Sequence, residues 1–231
     1  MFFSQARHFL LLLILGLLPF ISNAQNPQTY SALDNRLYNG KIYSYYPPSN
    51  VIGNQFLSKP DFSMGSVWLD GVEYRNITLN YDIVNQQLLI SFYNMPGAER
   101  IIAISMAYLD SFSFEGKKFI IQRDSLNNAS IYQVLAVSGY RFYIFWYKTL
   151  NLRTSLSMIQ YEFSKSMRNT YYQHIEPRFE VNRNKKFWKL FPKNQAVLIR
   201  KYMRAHKMKI GKMSDIQYGA LLVFLKDMDH A

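Results

Sequence analysis

Cysteine is absent from the 231 residues. That excludes disulfides, thiolate catalysis and Cys-based zinc sites together, and with them the acylated cysteine of a bacterial lipoprotein. Histidine is scarce. Beyond the N-terminal region only His174, His206 and His230 remain, and none has a second histidine at the i,i+4 spacing of a helical zinc motif. The chain also lacks a Gly-x-Ser-x-Gly elbow, a phosphate-cradling P-loop and a Gly-x-Gly-x-x-Gly turn. No pattern calls for a metal or a cofactor, and no catalytic residue is assigned.

Long apolar runs are confined to the N-terminus. Arg7 precedes an apolar run from Phe9 to Ile21, which is followed by Ser22-Asn23-Ala24. A cationic start, a short apolar core and small residues at the cleavage spacing predict a signal peptide over 1–24. The mature chain then begins at Gln25. A membrane anchor needs about 20 apolar residues, and Pro19 interrupts a shorter run. Export without cysteine fits a bacterial envelope better than a disulfide-forming eukaryotic secretory route. The expected location is therefore periplasmic or extracellular, with no transmembrane segment after cleavage.

From Val67 to Val181 short β-branched and aromatic runs alternate with turn signals. Asp70-Gly71 and Ser138-Gly139 are two-residue hairpin turns, and Glu115-Gly116 is another turn. Met158 to Phe163 and Tyr171 to Ile175 read as a last hairpin around residues 165–169. In Arg141 to Lys148, Phe142, Ile144 and Trp146 alternate with Tyr143, Phe145 and Tyr147, so both sides of the strand are apolar or aromatic. Such a strand is either covered on both sides or lines a pocket. Tyr143, Phe145, Tyr147 and Trp146 are the candidate ligand-facing aromatics. The expected fold is mainly β with C-terminal helices (α+β), built on a strongly curved antiparallel sheet or partial β-barrel over 25–182. A basic helical region over 183–231 packs on the same domain. There Ser214-Asp215-Ile216-Gln217 matches a capping box.

Acidic residues are missing from one stretch. Arg183 to Lys212 holds eleven Lys or Arg and no Asp or Glu, whereas the β region is nearly balanced in sign. On a helical wheel Lys193, Arg200, Lys201, Arg204 and Lys207 share a side opposite a face made of Leu198, Ile199, Tyr202, Met203 and Ala205. An unbalanced field of this kind attracts anions. The readings it leaves open are a solvated helix, an anionic membrane surface or lipopolysaccharide, and an acidic envelope protein. The Lys185-Lys186-Phe187-Trp188-Lys189 stretch mixes cations with stackable rings, but export argues against nucleic acid. Asp70, Glu73 and Asp82 lie close in sequence, so that a hairpin could bring two of them together as an acid–base pair, but solvated turn carboxylates explain them better.

Gly65-Ser66-Val67-Trp68-Leu69-Asp70-Gly71-Val72-Glu73-Tyr74, then Leu79 to Ile83, Tyr132 to Leu135 and Asn184 to Phe187, resemble a group of uncharacterised exported β-rich proteins of Bacteroidetes-type bacteria. The resemblance implies an envelope location and one continuous domain, and it carries no activity. The leading expectation is a non-enzymatic envelope binding or accessory module. A hydrolase acting on envelope glycans or lipids and a structural subunit of an outer-membrane complex are the alternatives.

Overall fold

The computed structural model describes residues 35–93, 97–155 and 158–229. The expected signal peptide over 1–24 lies outside them. A single turn of helix, α1 (Asn35–Tyr38), precedes β1 (Lys41–Ile42), β2 (Ser63–Leu69), β3 (Val72–Asp82), β4 (Gln87–Tyr93) and β5 (Glu99–Ala103). The chain continues through β6 (Leu109–Phe114), β7 (Lys117–Arg123), β8 (Ala129–Val137) and β9 (Tyr140–Tyr147). After β10 (Leu150–Ser155) and β11 (Met158–Phe163) come β12 (Met167–Gln173) and β13 (Phe179–Glu180). The C-terminal part is helical: α2 (Asn184–Trp188), α3 (Lys193–Ala205), a 3-10 turn at Ile210–Lys212 and α4 (Asp215–Asp229).

Eleven strands form one antiparallel sheet in the order β1-β5-β4-β3-β2-β6-β7-β8-β9-β12-β13. Turn chemistry sets its connections. Asp70 and Gly71 both have positive φ (48° and 76°), as do Glu115 with Gly116 and Ser138 with Gly139. These are the backbone values that match a hairpin turn to strand twist. Gly65 is needed for a different reason. A Cβ there would lie 2.2 Å from the Ser113 carbonyl oxygen, so β2 and β6 meet closely only over a bare backbone.

Two expectations are corrected. The sheet is open and is neither closed nor strongly curled, since it ends in the short strands β1 and β13 with no pairing between them. Hairpin spacing reports neighbours along the sheet and carries no information on whether its edges meet. The hairpin expected between residues 158–163 and 171–175 does not form either. β11 pairs with β10 in a separate two-stranded ribbon, from Leu150 opposite Phe163 to Ser155 opposite Met158. β12 pairs instead with β9, where Tyr171 faces Tyr143 and Thr170 faces Ile144.

Inward residues of β2 to β8 form one core around Val67, Leu79, Tyr81, Phe112 and Phe119, closed at one end by Leu37 of α1. A second core joins the sheet to the helices. Tyr140, Phe142 and Ile144 of β9 and Tyr172 of β12 pack against Phe187, Ile199, Met203, Tyr218, Leu221 and Leu225. Each such buried side chain contributes roughly 1.5–3 kcal/mol. That burial is what holds a strongly basic segment onto the sheet. The capping box forms as the sequence predicts: Gln217 N–H donates to Ser214 Oγ at 3.3 Å, and Ser214 N–H donates to Gln217 Oε1 at 3.1 Å. Lys117 Nζ reaches Asp215 at 2.6 Å, tying the start of α4 to β7.

Candidate functional site: a tyrosine and arginine face

The period-two alternation of β9 divides the four candidate aromatics. Trp146 points with Phe142 and Ile144 toward the core side, where its indole N–H donates to Gln133 Oε1 at 2.8 Å. Tyr143, Phe145 and Tyr147 take the opposite side of the sheet, away from the helices. Strand register brings two more rings to them. Tyr171 of β12 lies directly opposite Tyr143, and Tyr132 of β8 is on the same side, two residues from Val134, which also faces Tyr143.

These rings meet edge to face, the favoured arrangement for aromatic quadrupoles. Tyr132 and Tyr143 lie 6.3 Å apart at 82°, Tyr132 and Tyr171 5.8 Å apart at 86°, and Tyr132 and Phe145 5.8 Å apart. Tyr147 stacks on Phe145 at 6.2 Å. Into this array comes Arg178 from the loop between β12 and β13. Its guanidinium carbon sits 4.5, 5.0 and 5.3 Å from the ring centroids of Tyr132, Tyr171 and Tyr143. It also donates to the Gln122 side-chain oxygen and, at 3.4 Å, to the Tyr132 hydroxyl. A cation over one ring gains about 0.5–2 kcal/mol, so three rings fix its position. Arg178 makes no ion pair among the described residues. Its charge therefore stands unneutralised. Burial first, and then the adjacent Tyr132, push the Tyr171 hydroxyl above its ordinary value, while Arg178 pulls the other way.

Beside this array opens a groove of about 480 Å³, which Tyr132 and Arg178 border together with Gln122, Asn128, Ser130 and Gln173. Glu176 also borders it, exposed and without a hydrogen bond among the described residues, while its remaining charged groups are engaged. Asp124 accepts from Leu126 N–H, Asn128 N–H and the Asn128 amide, and these bonds hold its carboxyl below the usual range. Arg123 donates to the carbonyls of Met106 and Ala107. What remains toward the groove is a set of amides, hydroxyls, one fixed cation next to aromatic rings, and the Glu176 carboxylate at its border. The rings of Trp146 and Tyr147 border a different, shallower cavity with Arg168, whose guanidinium is tied to the Gly211 and Met213 carbonyls.

The five basic candidates do not share one environment. Lys193 opens α3, and Lys201 and Arg204 lie exposed along it with no ion pair among the described residues. Arg200 stacks on Trp188 at 4.9 Å. Lys207 falls beyond the helix, at φ 53°, in the left-handed position of its C-terminal cap, where Met208 N–H donates back to Met203 O at 2.8 Å. Val197 and Leu198 are more than half exposed between these cations. Ala196, Ile199 and Met203 face the core, whereas Leu198 and Ala205, expected on that face, are exposed because the buried stripe, at i, i+3 and i+7 from Ala196, is turned away from them.

Asp70, Glu73 and Asp82 do not converge. Asp70 occupies the β2–β3 turn, and Asp82 ends the eleven-residue β3 at its far end. Glu73 pairs with Arg75 at 2.7 Å. Asp82 is fully buried and accepts from Val84 N–H, Asn85 N–H, the Asn85 amide and the Tyr43 hydroxyl, so it is the keystone of the β3–β4 turn. No helix among the described residues is long and apolar enough to cross a membrane.

Tyr132, Tyr171 and Arg178 are the site residues that local sequence patterns miss. They come from three segments spread over forty-seven positions and meet only through strand register. Comparison with protein families, curated proteins and solved structures finds no match to this chain.

Proposed function

We propose that this chain is a non-enzymatic binding module of a bacterial envelope, and that the Arg178–tyrosine groove takes a glycan. The observation that carries this reading is Arg178, held over three tyrosine rings beside a groove whose lining includes the amides and hydroxyls of Gln122, Asn128, Ser130 and Gln173. Sugars present apolar C–H patches and a rim of hydroxyls. Ring edges and faces suit the first, and Gln122, Asn128, Ser130 and Gln173 suit the second, since each amide both donates and accepts. The unpaired guanidinium favours acidic sugars, whose carboxylates it can grip with two parallel N–H bonds. The N-terminal apolar run and the lack of cysteine support the envelope setting. The separation of Asp70, Glu73 and Asp82 favours binding over a hydrolase built on those carboxylates.

The test is calorimetric titration of the mature chain with acidic and neutral oligosaccharides from envelope polysaccharides. Arg178→Ala and Tyr132→Ala are expected to weaken binding of the acidic set by about tenfold or more, near 1.4 kcal/mol each. Affinity unchanged in Arg178→Ala would contradict the reading.

A second reading concerns α3. Exposed Val197 and Leu198, set among unpaired Lys193, Lys201 and Arg204, give it the make-up of a helix that rests on an anionic lipid surface. In this reading the helix brings the groove to the membrane or to lipopolysaccharide.

A further inference from the structure

The 174–178 loop also borders a second cavity. This cleft, of about 290 Å³, lies where the end of β12 meets α2, α3 and the end of α4. Leu190, Phe191 and Phe179 supply apolar walls, and Tyr172 lies against it. Its charges run against those of the molecule. In a chain with a net charge of +12, the cleft is bordered by two carboxylates, Glu176 and Asp229, and by no Lys or Arg.

The carboxylates differ in their setting. Asp229 is positioned: Tyr140 donates its hydroxyl to Oδ2, the His174 ring stacks 3.8 Å from the Tyr140 ring, and His174 Nε2 stands 3.9 Å from the same carboxylate. Oδ1 of Asp229 has no hydrogen bond among the described residues. Glu176 is exposed and likewise without a hydrogen bond among them. The Tyr172 hydroxyl is a third oxygen. It is buried with no hydrogen-bond partner, although burying a polar group without one is costly.

We infer that this cleft binds a compact apolar amine, its ammonium toward Asp229 and Glu176 and its apolar body against Leu190 and Phe191. An ammonium carries three N–H donors and no acceptor, which matches a set of oxygens with free lone pairs. The rings of Phe191, Phe179 and Tyr172 add faces that attract a cation. An anionic ligand would meet two carboxylates and no balancing cation. A long acyl chain would exceed a volume that is at the lower end of the roughly 300–1,000 Å³ of small-molecule sites. The cleft shares Glu176 and Pro177 with the tyrosine groove, but Asp229, Tyr172, Leu190 and Phe191 line the cleft and not the groove, so this inference does not rest on the glycan reading.

The experiment is calorimetric titration of the mature chain with 2-phenylethylamine and with 3-phenylpropanoate, which has a similar shape and the opposite charge. Saturable binding of the amine and none of the acid is expected. Glu176→Gln and Asp229→Asn should each weaken the amine about tenfold, the worth of one ion pair in a partly buried site. Tyr172→Phe should weaken it several-fold without lowering the melting temperature, because the variant loses only an unpartnered hydroxyl. Equal binding of acid and amine, no amine binding at millimolar concentration, or amine affinity unchanged in Glu176→Gln would each overturn the inference. Glu176 is exposed, so that last variant decides the matter even if Asp229→Asn fails to fold.

Discussion

Lys207 carries a backbone conformation that its side chain does not favour. At φ 53° it closes the C-terminal cap of α3, a position where the Cβ of an L-residue crowds the neighbouring carbonyl. Glycine avoids that contact, so Lys207→Gly is expected to raise stability by about 1 kcal/mol, read as a higher denaturant midpoint at unchanged slope. An equal or lower midpoint would show that the Lys207 side chain stabilises the fold by at least as much as the strain costs. Asp82 teaches the converse lesson. An aspartate beside an asparagine loop was readable as a turn residue, and four hydrogen bonds place it there, but the solvated carboxylate expected at that turn is fully buried. Arg178 was not readable at all, because its neighbours in the fold are Tyr132, Tyr143 and Tyr171, and nothing adjacent in sequence marks it.

Elements whose signals are local were legible. The Asp-Gly, Glu-Gly and Ser-Gly turns, the Ser214–Gln217 cap and the strands they join follow from residues within four positions of one another. Strand partners were not. Residues 158–163 satisfy the requirements of a hairpin with either neighbour, and the choice of β10 is made by pairings such as Leu152 with Tyr161 and by the Arg153–Glu162 ion pair at 2.5 Å. The side of the sheet that Trp146 takes follows from the same alternation that set Tyr143, Phe145 and Tyr147 apart, so the four candidate aromatics divide between the two sides. At the level of α3, the charged wheel was legible, and the stacking of Arg200 on Trp188 was not. That contact makes Lys201 and Arg204 the informative positions. If α3 rests on an anionic surface, Lys201→Gln with Arg204→Gln should reduce partitioning onto vesicles containing phosphatidylserine by about 2 kcal/mol, roughly thirtyfold. Co-sedimentation across a salt series reads this directly. Binding insensitive to both salt and the double variant would leave these cations solvated.

At the scale of the whole molecule, tyrosine burial makes stability depend on alkaline pH. Burial pushes Tyr43, Tyr81, Tyr172 and Tyr218 above the ordinary value of 10.0. Each therefore keeps its proton in the folded chain at a pH where the unfolded chain has lost it. The stability they contribute is fully present below pH 10 and is lost as pH rises above it, with a slope of up to about 1.4 kcal/mol per pH unit for each group. Lys148 acts in the opposite sense, since burial lowers it from 10.5 and stability recovers as it deprotonates. One group does not offset four. Melting temperature should hold through pH 9 and fall steeply beyond 10. A melting temperature that stays level well beyond pH 10 would contradict the burial described for the core.

The open sheet has the helices on one side and the tyrosine–arginine array on the other, and the central claim is that this second side is a binding surface. Its most direct test is to map backbone amide chemical shifts of residues 25–231 during titration with acidic envelope oligosaccharides. Shifts concentrated at Gln122, Tyr132, Tyr171, Gln173 and Arg178, and abolished in Arg178→Ala, are the expected result. Shifts confined to the helical side, or none at saturating glycan, would contradict it.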